Sequence, residues 1–288
     1  MRVPIVGGTC LCADVAWEVT QPFEFMSHCH CSRCRKTHGA AFATFMMAPP
    51  DAFRLLRGRE RIVRYPSSPA FFRPFCGRCG SVVPDGQPTQ GLVAVPVGPL
   101  DDDPGTRPLA HIFVASRAPW FEVRGELPCF EAYPPGVDLP VLPDPPVRDA
   151  VSGRPRGSCL CGAVGYVVEG DPLRCVNCHC SRCRKARAAA FASNLFTTAD
   201  DLRFTRGGNG LVSYKVPEAR FFMQVFCPDC GSPMPRIDRE RGLAIVPMGS
   251  LDDDPGVRPQ RHIFVGSKAP WYEIADDLPQ HVEYPPAS

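Results

Sequence analysis

The chain has 288 residues, including 16 cysteines, 34 prolines and 25 glycines, and this length predicts about two domains. Its 32 basic and 30 acidic side chains leave a formal net charge of only +2, which argues against nucleic acid as a partner. We find neither an apolar run near the roughly 20 residues that span a bilayer nor the apolar core of a signal peptide. We therefore expect a cytoplasmic protein without a membrane partner, in which patterned cysteines bind metal or undergo redox chemistry.

The sequence contains one long internal repeat. The segment CHCSRCRKTHGAAF (29–42) recurs as CHCSRCRKARAAAF (178–191), and GLVAVPVGPLDDDPG (91–105) recurs as GLAIVPMGSLDDDPG (242–256). The second copy carries two extra residues between these segments, an insertion that a surface loop accommodates best. We predict domain one over residues 1–132, a proline-rich linker over 133–157 and domain two over 158–288.

In chain order, domain one is predicted to have a turn at Ala13-Asp14 and a strand over 15–19. A helix of one or two turns follows over 34–38, and further strands lie over 62–65, 92–97 and 111–115. Domain two has equivalent segments, including a turn at Gly162-Ala163 and a short helix over 183–187. Scattered proline and glycine disfavour long helices, so the predicted fold class is mainly β.

Each domain preserves seven cysteines, which divide into four and three. A structural zinc needs four ligands, whereas a catalytic zinc keeps three and an open position. The later C-x-x-C-G resembles a zinc knuckle, and the early C-x-C places residues i and i+2 on one side of an extended chain. The predicted four-ligand sets are Cys10, Cys12, Cys76, Cys79 and Cys159, Cys161, Cys227, Cys230.

The remaining cysteines lie in C-H-C-x-x-C, close enough in sequence to converge on one metal with an open position. These sets are Cys29, Cys31, Cys34 and Cys178, Cys180, Cys183. A thiol cluster without stable metal and a purely structural role stay open as alternatives. Cys129 and Cys175 have no counterpart and are expected to be ordinary small apolar residues, although Cys175 could supply a fourth ligand.

Four motifs together resemble the glutathione-dependent formaldehyde-activating enzyme family, also called the centromere protein V type. They are G-x-C-x-C-G, C-H-C-x-x-C-R-K, C-x-x-C-G-[ST] and H-I-F-V-x-S-x-A-P-W, and they cover nearly all of both domains. The resemblance implies two Mss4-like β-tent domains, each with a structural zinc on the outer cysteine pairs and a catalytic zinc on the middle three. Two positions depart from the pattern, because Ala13 and Ala188 stand where the other copy has glycine.

The resemblance implies a zinc-dependent carbon–sulfur lyase-type enzyme that joins glutathione, or a similar thiol, to a small aldehyde such as formaldehyde. Two zinc ions per domain and glutathione as cosubstrate are the expected cofactors, and formaldehyde detoxification is the expected role. One alternative is a non-catalytic zinc module that binds glutathione or a macromolecular partner. Another is a thiol redox protein whose central cysteines cycle without metal. The sequence leaves the oligomeric state open.

Basic side chains flank the central cysteines and are candidates for binding the carboxylates of glutathione. These residues are Arg33, Arg35, Lys36, Arg182, Arg184 and Lys185. The alternative is that they balance the charge of the metal–thiolate cluster or lie on a solvated helix face. We expect His30 and His179 to point away from the metal, and Trp120 and Trp271 to anchor the core.

Overall fold

The computed structural model describes residues 4–69, 71–145 and 153–285. Domain one contains one α-helix, α1 (Ser32–His38), between short strands. These strands are β1 (Ile5–Thr9), β2 (Ala16–Thr20), β3 (Phe25–Cys29), β4 (Ala43–Ala48), β5 (Phe53–Arg57), β6 (Ile62–Pro66), β7 (Phe72–Cys76), β8 (Val93–Pro96) and β9 (Ala110–Ile112).

Domain two repeats this order of elements, with two additional short strands, and contains helix α2 (Ser181–Arg187). Its strands are β10 (Arg156–Ser158), β11 (Gly165–Val168), β12 (Arg174–Cys178), β13 (Ala192–Thr198), β14 (Leu202–Arg206), β15 (Val212–Lys215), β16 (Met223–Phe226), β17 (Arg236–Asp238), β18 (Leu243–Pro247), β19 (His262–Ile263) and β20 (Gln280–His281). The first of these strands begins within the segment predicted as linker.

Each domain has three small sheets that position its cysteines. In domain one the sheet orders are β1-β2-β5, β8-β4-β3-β9 and the hairpin β6-β7. Strands β3 and β9 pair in parallel, with Cys29 opposite Ile112. The equivalent sheets of domain two are β10-β11-β14, β17-β18-β13-β12-β19-β20 and β15-β16. The mainly β class predicted from the sequence is confirmed, and no helix in the described residues is long and apolar enough to cross a membrane.

The predicted elements differ from the structure by one to three residues at their ends, and a local interaction explains two of these differences. The strand predicted over 111–115 ends at Ile112, because Phe113 adopts a left-handed conformation with φ of 59°. The helix predicted over 34–38 begins two residues earlier, because the Cys31 sulfur accepts a hydrogen bond from the Cys34 amide at its N-terminus. The two-residue insertion of domain two lies in the largely exposed turn between β15 and β16, as predicted for a surface loop.

The two domains share one apolar core. A single buried cluster includes Trp17 and Trp120 of domain one together with Tyr166 and Trp271 of domain two. Trp120 and Trp271 are each 2% exposed, which confirms them as core anchors. Such shared burial couples the stability of the domains, because neither can expose its side of the core without losing hydrophobic free energy.

Equivalent residues of the two domains meet across their interface. Phe42 and its counterpart Phe191 lie edge to face, with ring centroids 5.5 Å apart. Gly98 packs so closely on the end of α2 that an added Cβ would lie 2.1 Å from the Ala189 nitrogen. Gly249 packs in the same way on Ala40, at 2.3 Å. The copies therefore contact each other through the same surface, as the subunits of a two-fold dimer do.

Candidate metal centres and thiol site

The four-cysteine clusters assemble where β-strands end. Cys10 directly follows β1 and Cys12 lies in the turn to β2, while Cys76 ends β7 and Cys79 lies in the turn after it. Domain two repeats this arrangement. The structure therefore brings together the two predicted sets, Cys10, Cys12, Cys76, Cys79 and Cys159, Cys161, Cys227, Cys230.

The sulfur positions in these clusters suit a tetrahedral metal. All four sulfur atoms of each set lie within 4.8 Å of one another, and the Cys12 and Cys76 sulfurs are 3.7 Å apart. A tetrahedron with zinc–sulfur bonds of about 2.3 Å has edges of about 3.8 Å. Hydrogen bonds from the other three cysteines lower the pKa of Cys79, and the same holds for Cys230 in domain two. Both sets therefore fit a closed metal site.

The three-cysteine clusters form where a strand passes into a helix. Cys29 ends β3, Cys31 caps the N-terminus of α1, and Cys34 lies in the first turn of that helix. Cys178, Cys180 and Cys183 hold the equivalent positions around α2. The sulfur atoms in each set again lie within 4.8 Å of one another. Among the residues that the structure describes, no fourth His, Cys, Asp or Glu joins either set.

Each three-cysteine cluster favours at least one thiolate. In domain one, hydrogen bonds from Cys29 and Cys31 lower the pKa of Cys34, and the nearby Arg73 adds to this effect. In domain two, hydrogen bonds from Cys178 and Cys183 lower the pKa of Cys180 to about 3. Thiolate is the form of cysteine that binds metal or acts as a nucleophile, so both clusters have the donor chemistry of a metal site.

The cation beside the cysteines differs between the domains. Arg73 Nη1 lies 3.5 Å from the Cys34 sulfur, whereas the equivalent position of domain two is Gln224. Domain two instead has Arg187 at the end of α2, at the position equivalent to His38. Our sequence analysis missed these residues. A position-by-position comparison of the two copies shows the exchange, although it does not reveal that each arginine lies near the three-cysteine cluster of its own domain.

Two aromatic rings lie beside each three-cysteine cluster. Phe113 packs against the cluster of domain one, and its ring centroid is 4.7 Å from that of Tyr133. Phe264 and Tyr284 make the same contact in domain two. Phe113 and Phe264 both have φ of 59°, a costly conformation for a bulky residue that often marks a functional position. The repeated Y-P-P that carries these tyrosines was the missed signal, since we assigned it to the linker.

The histidines between the ligand cysteines point away from the clusters. The His30 Nε2 and His111 Nδ1 atoms are hydrogen-bonded at 2.8 Å, and His179 and His262 form the same bond at 2.7 Å. Burial lowers the pKa of His30 and of His179 to about 3. His30 and His179 therefore point away from the cysteine clusters, as the sequence predicted.

The structure separates the six basic residues that the sequence grouped together. Arg182 lies at the cavity beside its cysteines, and Arg33 donates to the carbonyl oxygens of Ser67 and Pro143. Arg35 is largely buried, and burial lowers its pKa, with Asp144 opposing this effect. Arg184 donates to the Gly98 carbonyl of domain one.

The two lysines of this group reach across the domain interface. Lys36 is bound by Ser158 and Asp252 of domain two, and Lys185 by Thr9 and Asp101 of domain one. We predicted that both would bind the carboxylates of glutathione. Their ammonium groups have interdomain partners instead, because each helix presents its C-terminal half to the other domain, and we do not assign them to the thiol site.

The unrepeated cysteines lie outside the metal groups. Cys175 is 1% exposed in the apolar core, as expected for a small apolar residue, and it supplies no fourth ligand to the nearby cluster. Cys129 is exposed rather than buried. None of the 16 cysteines forms a disulfide.

The surroundings of the two three-cysteine clusters differ in access. A cavity of about 1250 Å³ lies over Cys178, Cys180 and Cys183. In domain one, the chain that follows Tyr133 returns to α1, where the Ser32 hydroxyl donates to the Asp144 carboxylate at 2.5 Å. The contact between Arg33 and Pro143 is 3.0 Å long. The segment over 143–144 therefore covers part of α1 beside the domain-one cysteines.

Comparison with known proteins assigns both copies to one family. The family model described as "glutathione-dependent formaldehyde-activating enzyme" matches residues 5–116 and 154–267. The chain belongs to this family. Both matched regions include a complete four-cysteine set and a complete three-cysteine set, so the family assignment and the geometry refer to the same residues.

Comparisons with curated proteins and with solved structures add little to the family assignment. No curated protein matches the chain. Among solved structures, a crystal structure of a Rhodobacter sphaeroides protein is 28% identical and covers 36% of this chain and 97% of its own, with a TM-score of 0.29.

Proposed function

We propose that this protein is a carbon–sulfur lyase-type enzyme that joins glutathione, or a similar small thiol, to a small aldehyde such as formaldehyde. The observation that carries this proposal is the cavity over Cys178, Cys180 and Cys183. Three convergent thiols leave one position open in a tetrahedral metal site, and the cavity gives a ligand access to that position. A flat, filled surface over these cysteines would have favoured a non-catalytic zinc module.

The donor set suits zinc as the bound metal. Three cysteine sulfurs form a soft ligand group, and a divalent ion bound there would lower the pKa of an incoming thiol enough to deprotonate it at neutral pH. Cys178, Cys180 and Cys183 would hold this ion in domain two, and Cys29, Cys31 and Cys34 in domain one. The four-cysteine sets would each hold a second ion with a structural role.

The residues around the cysteines orient the substrates. The strained Phe264 and its partner Tyr284 line the cavity beside the cysteines, and Arg182 lies where it can bind a substrate carboxylate. The thiol releases its proton to water, its sulfur attacks the aldehyde carbon, and a carbon–sulfur bond forms as the carbonyl π bond breaks. The oxygen then takes up a proton from water, so no net proton is gained or lost. Holding the two reactants together lowers the entropic barrier of this addition.

Native mass spectrometry with and without glutathione tests the proposal. We expect four divalent metal ions per chain and a glutathione adduct on the metal-loaded form. Cys180→Ser should remove one ion and the adduct in domain two, whereas the exposed Cys129→Ser should change neither. Nuclear magnetic resonance would then measure whether the intact protein accelerates exchange between formaldehyde and S-hydroxymethylglutathione.

The alternative function is a zinc module without catalysis. In domain one the segment over 143–144 covers part of α1 beside the cysteines, which limits access to the cluster and favours this alternative for that domain. Two metal ions per chain and no glutathione adduct would leave only the four-cysteine sites and would refute the enzyme. If Cys31→Ser leaves the exchange rate unchanged while Cys180→Ser abolishes it, domain two is the catalytic copy.

A further inference from the structure

The cavity of domain two has an unusual excess of positive charge. Seven arginines line it, Glu283 is the one acidic residue of its described lining, and Asp238 contacts two of the arginines from outside. Three thiolates around a divalent metal carry one further negative charge. After these three negative charges are counted, four positive charges have no counterpart in the described part of the cavity.

This charge is specific to domain two. Arg182 has the equivalent Arg33 in domain one, but the other arginines have no such counterpart. These residues are Arg174, Arg187, Arg220, Arg236, Arg241 and Arg261. Their positions in domain one are occupied by Phe25, His38, Asp85, Gln90 and Ala110, and Arg220 lies in the turn that carries the two-residue insertion. Both domains contain the same three-cysteine cluster, so charge balance for that cluster does not account for the larger number of arginines in domain two.

Two buried polar groups that line the cavity have no protein partner. Arg187 is 9% exposed and Gln224 is 1% exposed, and neither Arg187 Nη1 nor Gln224 Nε2 has a hydrogen-bond partner among the described residues. A buried donor without a partner destabilises the folded protein. Both are donors, so a partner would be an acceptor, and the surrounding positive charge favours an anion there.

Other arginines are held in place by aromatic contacts. Arg174 stacks on Phe196 with its guanidinium carbon 4.3 Å from the ring centroid, and Arg241 stacks on Phe221 at 4.3 Å. Stacking fixes the plane of a guanidinium and leaves its N–H groups free to bind oxygen atoms in pairs. This preorganisation lowers the entropic cost of binding an anion with several oxygens.

We propose that the domain-two cavity binds a small molecule that carries phosphate groups, with its reactive sulfur at Cys178, Cys180 and Cys183 and its phosphates against the arginines. This inference rests on the proposed function and narrows its substrate class. Glutathione has two carboxylates and one ammonium group, which is too little negative charge for this cavity. A phosphorylated thiol supplies more charge and matches the arginine forks.

A titration of the metal-loaded full chain with inorganic phosphate, followed by ³¹P nuclear magnetic resonance, tests the inference. We expect saturable binding that weakens about tenfold in Arg182→Gln, which corresponds to about 1.4 kcal/mol, since one charge-assisted hydrogen bond to the anion is lost. Arg261→Gln should weaken it similarly. The matched control is Arg33→Gln, the equivalent substitution in domain one, which should leave phosphate affinity within about twofold of the parent.

Metal content and the glutathione adduct, measured on the same samples, separate the two proposals. Loss or absence of phosphate binding in a protein that keeps four metal ions and a glutathione adduct overturns this inference and leaves the proposed function intact. Equal weakening by Arg33→Gln and Arg182→Gln also overturns it, because the site would not belong to domain two. Saturable phosphate binding in a protein whose three-cysteine sites hold no metal ion would support the anion site and refute the lyase.

Discussion

Arg73 and Gln224 show how one residue changes the electrostatics of an otherwise repeated site. The Arg73 guanidinium contacts the Cys34 sulfur directly, whereas Gln224 brings no charge to the equivalent place in domain two. A cation at this distance stabilises a thiolate and offsets the negative charge of a metal on three thiolates. The domain-one cluster therefore has a dedicated counter-charge, and the domain-two cluster faces an arginine-lined cavity.

Replacing Arg73 by glutamine tests this role. We expect the domain-one three-cysteine site to bind divalent metal about 10-fold to 100-fold more weakly, as is typical when a residue supporting a metal ligand is lost. Competition with a chromophoric chelator measures the affinity. Arg78→Gln is the control, because that exposed guanidinium contacts Asp14 rather than a cysteine. Indistinguishable competition curves for parent and Arg73→Gln would show that Arg73 only packs against the cluster.

At the scale of elements, tight turns place the cysteines, and the two copies make them differently. The turn after the first cysteine pair needs a left-handed residue, which is Gly162 with φ of 77° in domain two and Ala13 with φ of 60° in domain one. The cap of the short helix shows the opposite exchange, with Gly39 at φ of 58° in α1 and Ala188 at 49° in α2. Alanine is strained in this region because its Cβ approaches a backbone carbonyl oxygen.

Ala13→Gly should therefore stabilise the protein. Ala13 is exposed, so the substitution relieves strain without losing buried surface, and we expect a gain of about 1 kcal/mol in the free energy of unfolding. For a chain of this length the unfolding midpoint should rise by about 2–4 °C. The matched substitution Gly162→Ala should lower the midpoint by a similar amount. Thermal unfolding followed by tryptophan fluorescence measures both, and a lower midpoint for Ala13→Gly would contradict the strain argument.

For the whole molecule, the repeated lysines bind the domains together by two ion pairs of unequal burial. The side chains of Lys36 and Asp252 are 7% and 2% exposed, whereas those of Lys185 and Asp101 are 22% and 44% exposed. The first acid of each L-D-D-D-P-G motif thus binds the helix of the other domain. The third acid, Asp103 or Asp254, binds the arginine four residues later and shapes its own turn.

Lys36→Met should destabilise the protein much more than Lys185→Met. Removing Lys36 leaves the buried Asp252 carboxylate without its partner, which typically costs 3–5 kcal/mol. Loss of the more exposed pair should cost at most about 1 kcal/mol. Urea denaturation of the two variants measures the difference, and metal content checks that both retain their clusters. Equal losses would mean that burial at the interface does not govern the strength of these pairs.

The sequence by itself determined the mainly β class, the tandem repeat, the family and the four cysteine groups. The class follows from the scattered proline and glycine, and the repeat from self-similarity. Local spacing in C-x-C, C-x-x-C and C-H-C-x-x-C brings neighbouring sulfurs together, and the need of a structural zinc for four ligands joined two cysteine pairs that lie 64 residues apart in domain one. The short helix was also predicted, because it begins among the ligands themselves.

Only the tertiary structure decided what surrounds the cysteines. Lys36 and Asp252 are 216 residues apart in the chain, and Arg73 reaches Cys34 across 39 residues, so no local pattern predicts either contact. The sequence groups Arg182 with Lys185 on one short segment, yet the helix turns Lys185 to the other domain and leaves Arg182 at the cavity. The direction in which the helix points each side chain, and the packing of the two domains against each other, decide whether a basic residue lies at the cavity or at the domain interface.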